Sequence, residues 1–133
     1  MAQISACKAA NHQHSGLVTL DGKVIMMGDT YKGQLGLEPE HHAASKTIDP
    51  FELDLSFLEE GDAPLKIVCA GIHTCLLTKN GALYTFGCGS DGRLGHPEYD
   101  GFVYLYKETK PKRVENIGPL KDVACAYYHN IAI

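Results

Sequence analysis

A few groups of residues in this chain of 133 have the types and spacing that chemistry would need. Gly87-Cys-Gly89-Ser-Asp-Gly92 spells G-x-G-x-x-G after an apolar run, a pattern that cradles a pyrophosphate when a helix follows. Arg93-Leu-Gly95-His-Pro97 cannot easily begin that helix, so no dinucleotide or other cofactor is expected, and the glycines read as a turn between strands. His12 and His14 form a His-x-His that could ligate a metal from one strand face. His14 has counterparts at His73 and His129, however, and a histidine kept at one place in every copy of a repeat is better explained as a hydrogen bonder that satisfies neighbouring backbone groups; no metal is expected. Cys7, Cys69, Cys75, Cys88 and Cys125 are odd in number and contain no Cys-x-x-Cys pair, which points to buried reduced thiols rather than a disulfide framework. Glu59-Glu60 and Asp49 with Glu52 have no spacing that singles out acid–base work. Without a nucleophile elbow, P-loop or metalloprotease helix, the chain is not expected to catalyse covalent chemistry.

The elements that must position these residues centre on 67–95. Two apolar runs, 67–78 and 82–86, are joined at Lys79-Asn80-Gly81, and Asn-Gly between such runs predicts a β-hairpin. Both runs are apolar at nearly every position, so both faces of the strands are expected to be covered, as between stacked sheets. The stretch 17–28, followed by Gly33-Gln34-Leu35-Gly36, repeats the unit at a constant offset of 59 residues: Gly22 to Gly81, Gly28 to Gly87, Gly33 to Gly92, Gly36 to Gly95 and His14 to His73. Val123-Ala-Cys125 and His129 begin a third copy, 56 residues beyond Cys69 and His73. The copies run roughly over 4–36, 67–95 and 123–133, the last being expected to stop within its first strand. A period of this kind marks stacked supersecondary units.

The run His73-Thr74, Leu77-Thr78, Asn80-Gly81, Leu83-Tyr84, Phe86-Gly87, Gly89, Gly92 and Leu94-Gly95 resembles the repeat of the regulator of chromosome condensation family, and Gly33-Gln-Leu-Gly36 matches its most recognisable tetrapeptide. The resemblance implies an all-β fold, a partial, open β-propeller of four-stranded antiparallel blades, usually seven to a ring. Asn11, Ala70 and Ala126 stand where the family usually has glycine, Met27 replaces the aromatic at Phe86, and Thr30 replaces Gly89; alanine tolerates a left-handed backbone poorly. A blade needs roughly 50 residues, so this chain is too short to close a ring. The remaining blades are expected elsewhere in a longer protein or in another chain, and a lone segment is expected to expose blade faces and self-associate.

The net charge of −4 and pI near 5.9 argue against non-specific nucleic-acid binding. The local cluster Lys107, Lys110, Lys112, Arg113 and Lys121 reads as a solvated loop. No apolar run is long enough for a membrane span and no leader is evident, which favours the cytoplasm or nucleus. In the less regular part, 37–64, the alternation of Phe51, Leu53, Leu55 and Phe57 favours a strand, although Asp49-Pro50 followed by Glu52 also resembles a helix start, and the resemblance places Pro50 and Pro111 just before outer strands. The polar turns after the glycine pairs, with Asp29, Tyr31, Asp91 and Arg93, and the aromatic stretch with Tyr99, Tyr104 and Tyr106, are expected to face a partner protein. Propeller loops suit a non-catalytic interaction scaffold. The resemblance also implies an alternative, guanine-nucleotide exchange on a Ran-like small GTPase in association with chromatin; family members occur in ubiquitin ligases as well.

Overall fold

The computed structural model describes residues 3–6, 13–37, 47–89, 92–96, 107–126 and 129–133. They form three antiparallel sheets and, among the described residues, no α-helix. The first blade is β1 (Gln3–Ala6), β2 (His14–Val18), β3 (Val24–Asp29) and β4 (Thr47–Glu52), paired in chain order. The second is β5 (Pro64–Ala70), β6 (His73–Thr78), β7 (Leu83–Cys88) and β8 (Lys107–Arg113), again in chain order. A two-stranded third sheet pairs β9 (Val123–Cys125) with β10 (Asn130–Ala132). The fold is thus an open stretch of propeller.

The period of 59 residues reappears atom by atom in the hairpin turns. Thr19 N–H donates to Lys23 O (2.9 Å) and Gly22 N–H to Thr19 O (3.2 Å); Thr78 N–H donates to Ala82 O (2.9 Å) and Gly81 N–H to Thr78 O (3.0 Å). Gly22 and Gly81 close these turns at φ 86° and 85°, a left-handed backbone that a Cβ would oppose. Facing residues then fall on alternate sides of each strand. Val18, Val24 and Met26 of the first blade meet Ile67, Leu76, Tyr84 and Phe86 of the second in the larger core, while Cys75, Leu77 and Leu83 meet Val123 of the third in the smaller one. Every residue of β6 and β7 is buried, as expected of strands with a sheet on either side.

The structure corrects several boundaries. The run 67–78 is not one strand: it breaks at Gly71 and Ile72 into β5 and β6, with Gly71 at φ 50°. The left-handed residue lies one position beyond Ala70, and among the described residues Asn116 is the one non-glycine with positive φ, so neither Ala70 nor Ala126 is strained. The third copy holds two strands rather than one. The alternation at 51–57 outlasts its strand, because β4 ends at Glu52 and the chain then turns, leaving Phe57 edge-on to Tyr84 with ring centroids 4.8 Å apart. Pro50 and Pro111 sit inside the outer strands β4 and β8, beside irregularities in pairing. An edge strand tolerates the missing N–H because one side of its ladder has no partner. Lys107, Lys110, Lys112 and Arg113 lie on that same outer strand β8 rather than on a loop, and lysines on an edge discourage further strand pairing.

Candidate functional site

The turn after β3 is fixed from within by its own polar groups. Asp29 N–H donates to Gln13 O (2.8 Å), Tyr31 N–H to Asp29 Oδ1 (2.6 Å), Lys32 N–H to Gln34 Oε1 (2.8 Å), and Gly36 N–H to Gly33 O (3.1 Å). These bonds leave Tyr31 at the surface, 44 % exposed, with Lys32 Nζ 5.3 Å from its ring centroid. Asp29 is half-buried and spends one carboxylate oxygen on the turn. In the second blade Gly92 and Gly95 repeat the geometry of Gly33 and Gly36, with φ of 70° and 72° against 78° and 78°. Arg93 is a different matter: it is 4 % exposed, at the position equivalent to the fully buried Gln34, so its side chain belongs to the packing of the blades. Asp91, Tyr99, Tyr104 and Tyr106 lie outside the described residues, as do Cys7, His12 and the pair His41 and His42.

The repeat histidines connect blades. His14 Nε2 lies 2.8 Å from Thr74 Oγ1, and Thr74 donates its hydroxyl proton to Gln34 O (2.6 Å), so His14 Nε2 must carry the hydrogen it shares with Thr74. One blade on, His73 Nε2 lies 2.8 Å from Asn130 Oδ1, while Asn130 Nδ2 donates to Arg93 O (2.6 Å). Thr74 and Asn130 are each the residue after a repeat histidine, and Gln34 and Arg93 are repeat equivalents. The same relay is therefore built twice with different side chains. Residue sequence led us to expect the ring to satisfy backbone groups; in fact it reaches a side chain of the next blade, which passes the bond to a backbone carbonyl of the first. Burial lowers the His14 pKa to about 4, helped by the nearby His73. His129 is exposed. Thr74 and Asn130 were missed because the two residues differ in type; their signal is position alone.

A groove offers another place that could hold a ligand. It has a volume of about 340 Å³ and runs between the outer parts of the first two blades, lined by Leu37, Phe51, Leu53, Phe57, Lys110 and Pro111. Its lining also includes Glu52, Asp54 and Ser56, so an apolar floor is edged by two carboxylates and the Lys110 ammonium. The basic residues of β8 are partly neutralised, Arg113 by Glu59 (2.5 Å) and Lys112 by Glu108 (3.4 Å). Cys69, Cys75, Cys88 and Cys125 are not joined in disulfides, and the first three are buried.

The description "Regulator of chromosome condensation (RCC1) repeat" matches residues 80–133, and a second family model of the same description matches residues 66–93. The human "Probable E3 ubiquitin-protein ligase HERC3" is 33 % identical over 126 residues, which cover 93 % of this chain and 11 % of that protein. The mouse "Regulator of chromosome condensation" is 35 % identical over 91 residues, 65 % of this chain and 19 % of the relative. The crystal structure of Prp20p from Saccharomyces cerevisiae, described with its binding properties to Gsp1p and histones, superimposes with a TM-score of 0.76 at 23 % identity, covering 96 % of this chain and 30 % of Prp20p. The chain thus spans about a tenth of the length of the ligase relative that it matches.

Proposed function

This chain belongs to the regulator of chromosome condensation repeat family, and from that membership we propose that it works as a non-catalytic protein-interaction scaffold. The supporting observation is the division of labour within each repeat. Residues that recur at the constant offset, His14 and His73 or Gly28 and Gly87, serve the frame, whereas Tyr31 stands exposed on a turn that the frame holds fixed. A rigid frame with variable loops binds a partner at little ordering cost. The surface we propose comprises Asp29, Tyr31, Asp91, Tyr99, Tyr104 and Tyr106. Arg93 is left out because its side chain is buried. The further blades of the same propeller, or of another chain, are also proposed partners, and the work is proposed to take place in the cytoplasm or nucleus.

A second reading is guanine-nucleotide exchange on a Ran-like GTPase. It is favoured by the similarity to the mouse regulator and to the fold of Prp20p, for which binding to Gsp1p is described. Exchange of this kind needs no covalent step; the scaffold would bind the nucleotide-free GTPase more tightly than the loaded one. The test is nucleotide release from a Ran-type GTPase with the full protein, beside capture of cellular partners by Tyr31→Ala, Tyr104→Ala and Tyr106→Ala. The scaffold reading expects no acceleration, and at least ~10-fold weaker capture by the triple variant, in line with loss of aromatic anchors. Accelerated release would transfer the assignment to exchange, and unaltered capture would remove the loop surface.

A further inference from the structure

Between the second and third blades, the repeat histidine is joined by two thiols. Cys75 Sγ on β6 and Cys125 Sγ on β9 lie 3.0 Å apart. A ring nitrogen of His73 and the two sulfurs all fall within 4.8 Å of one another. His73 and Cys75 are fully buried, and Cys125 is half-buried, which leaves one side of the group approachable. The imidazole is already fixed in one tautomer. Asn130 donates its amide nitrogen to Arg93 O, so its oxygen must accept from His73 Nε2–H, and His73 Nδ1 is left as a bare lone pair with no hydrogen-bond partner. An imidazole that donates one N–H outward and keeps the other nitrogen bare is how proteins present histidine to a metal. The thiols are suited as well: their sulfurs lie together beside the imidazole, and a metal takes cysteine as the thiolate, releasing its proton on binding.

We propose that His73, Cys75 and Cys125 form a Zn²⁺ site that ties the second blade to the third. Two thiolates and an imidazole are a donor set that selects zinc among the common divalent ions, with the fourth position open to water or another donor. Binding expels the thiol protons of Cys75 and Cys125 to solvent, and needs no oxidant. Tetrahedral zinc with Zn–S of about 2.3 Å puts two sulfurs about 3.7 Å apart, so the pair has to separate by less than about 1 Å. A disulfide would need a comparable closing movement, to about 2.05 Å, and would leave His73 Nδ1 without a partner.

The chain carries its own comparison. The equivalent place between the first and second blades has His14, Gly16 and Cys69. His14 Nδ1 is bare in the same way. Gly16 stands where Cys75 would be, because Met26 fills the space: a Cβ on Gly16 would come within 2.7 Å of its sulfur. At the second interface the residue equivalent to Met26 is the smaller Thr85, which admits Cys75. One frame therefore carries a single thiol at one interface and a thiol pair at the next, so the fold does not demand the pair.

The experiment uses the reduced, metal-free chain under anaerobic conditions, titrated with Zn²⁺ and separately with Co²⁺ as the spectroscopic probe. One equivalent should bind, with thiolate-to-cobalt charge-transfer bands, the ligand-field absorption of four-coordinate Co²⁺, and a raised Tm. Cys125→Ser, at the half-exposed position, should remove those bands and weaken Zn²⁺ binding at least ~10-fold while the metal-free Tm stays unchanged. Cys75→Ala serves as the second variant, with the same loss expected. Absence of a stoichiometric cobalt spectrum in the reduced protein overturns the site, as do bands that survive both substitutions. A Cys75–Cys125 disulfide formed in air, with no Zn²⁺ uptake after reduction, also overturns it and assigns the pair to thiol–disulfide chemistry.

Discussion

His14 shows what the frame asks of a single residue. Its ring is 1 % exposed, makes one hydrogen bond to the next blade through Nε2, and has no room to be hydrated when charged. Desolvation is the chief reason that its pKa falls to about 4; the charge of the facing His73 pushes it the same way, while the His73 backbone and the Asp29 carboxylate oppose. The unfolded chain would titrate this group near its ordinary 6.5. Above about pH 7 the ring is neutral in both states and contributes no pH dependence. As pH falls below 6.5 the unfolded state takes up the proton first, so stability drops until pH reaches about 4 and both states are charged. A shift of this size is worth about 3 kcal/mol at most. Urea denaturation at several pH values between 7.5 and 4.5 should show the decline, and His14→Asn should flatten it by up to one proton. Equal slopes in the two proteins would refute the account.

At the scale of the strand and turn, Gly28 and Gly87 carry the heaviest constraint. Each has φ near 115° and sits opposite a repeat histidine in the ladder, at His14↔Gly28 and His73↔Gly87. A Cβ on Gly87 would come within 2.6 Å of Ile72 O and 2.8 Å of His73 Cα, backbone that has no freedom to withdraw. Gly61 also has positive φ, at 82°, but nothing within 4 Å of an added Cβ. Thermal unfolding should therefore find Gly61→Ala costing about 1 kcal/mol, the conformational term alone, and Gly87→Ala costing about 3 kcal/mol or leaving no folded protein, since overpacking is added to the strain. Similar losses for the two would show that conformation, not contact, governs Gly87. These glycines were legible in the sequence because their identity and their offset carried the same message. The break at Gly71 and Ile72 was not, because an unbroken apolar run hides a turn when both flanking strands are buried on two faces. The burial of Arg93 was hidden by its charge, although its equivalence to Gln34 marked the position as one kind of place in both blades. The inter-blade relay escaped for the converse reason: Thr74 and Asn130 share a position and a task but not a chemical type.

At the scale of the molecule, the two blades differ most in what covers them. On the second blade, Thr74, Leu76, Tyr84 and Phe86 face the first and are between 0 and 4 % exposed. Their equivalents on the first blade, Ser15, Leu17, Ile25 and Met27, lie opposite one another across β2 and β3 and are only half-buried, since no described sheet lies against them. Leu17, Ile25 and Met27 form an apolar face that a neighbouring blade is shaped to bury, and burial of such surface is worth about 25 cal/mol per Å². At the other end of the stack, Ile131 of β10 is 63 % exposed. The chain on its own should therefore associate with copies of itself, these faces substituting for adjacent blades. Sedimentation velocity should show the average mass rising with protein concentration, and the double change Leu17→Lys and Ile25→Lys should return it towards monomer. Both positions are on the uncovered side of the blade, so the variant should keep the far-ultraviolet spectrum of the unmodified chain. A chain that stays monomeric at high micromolar concentration would show that half-buried Leu17 and Ile25 are already sufficiently shielded, and that the blade does not depend on a neighbour at this face.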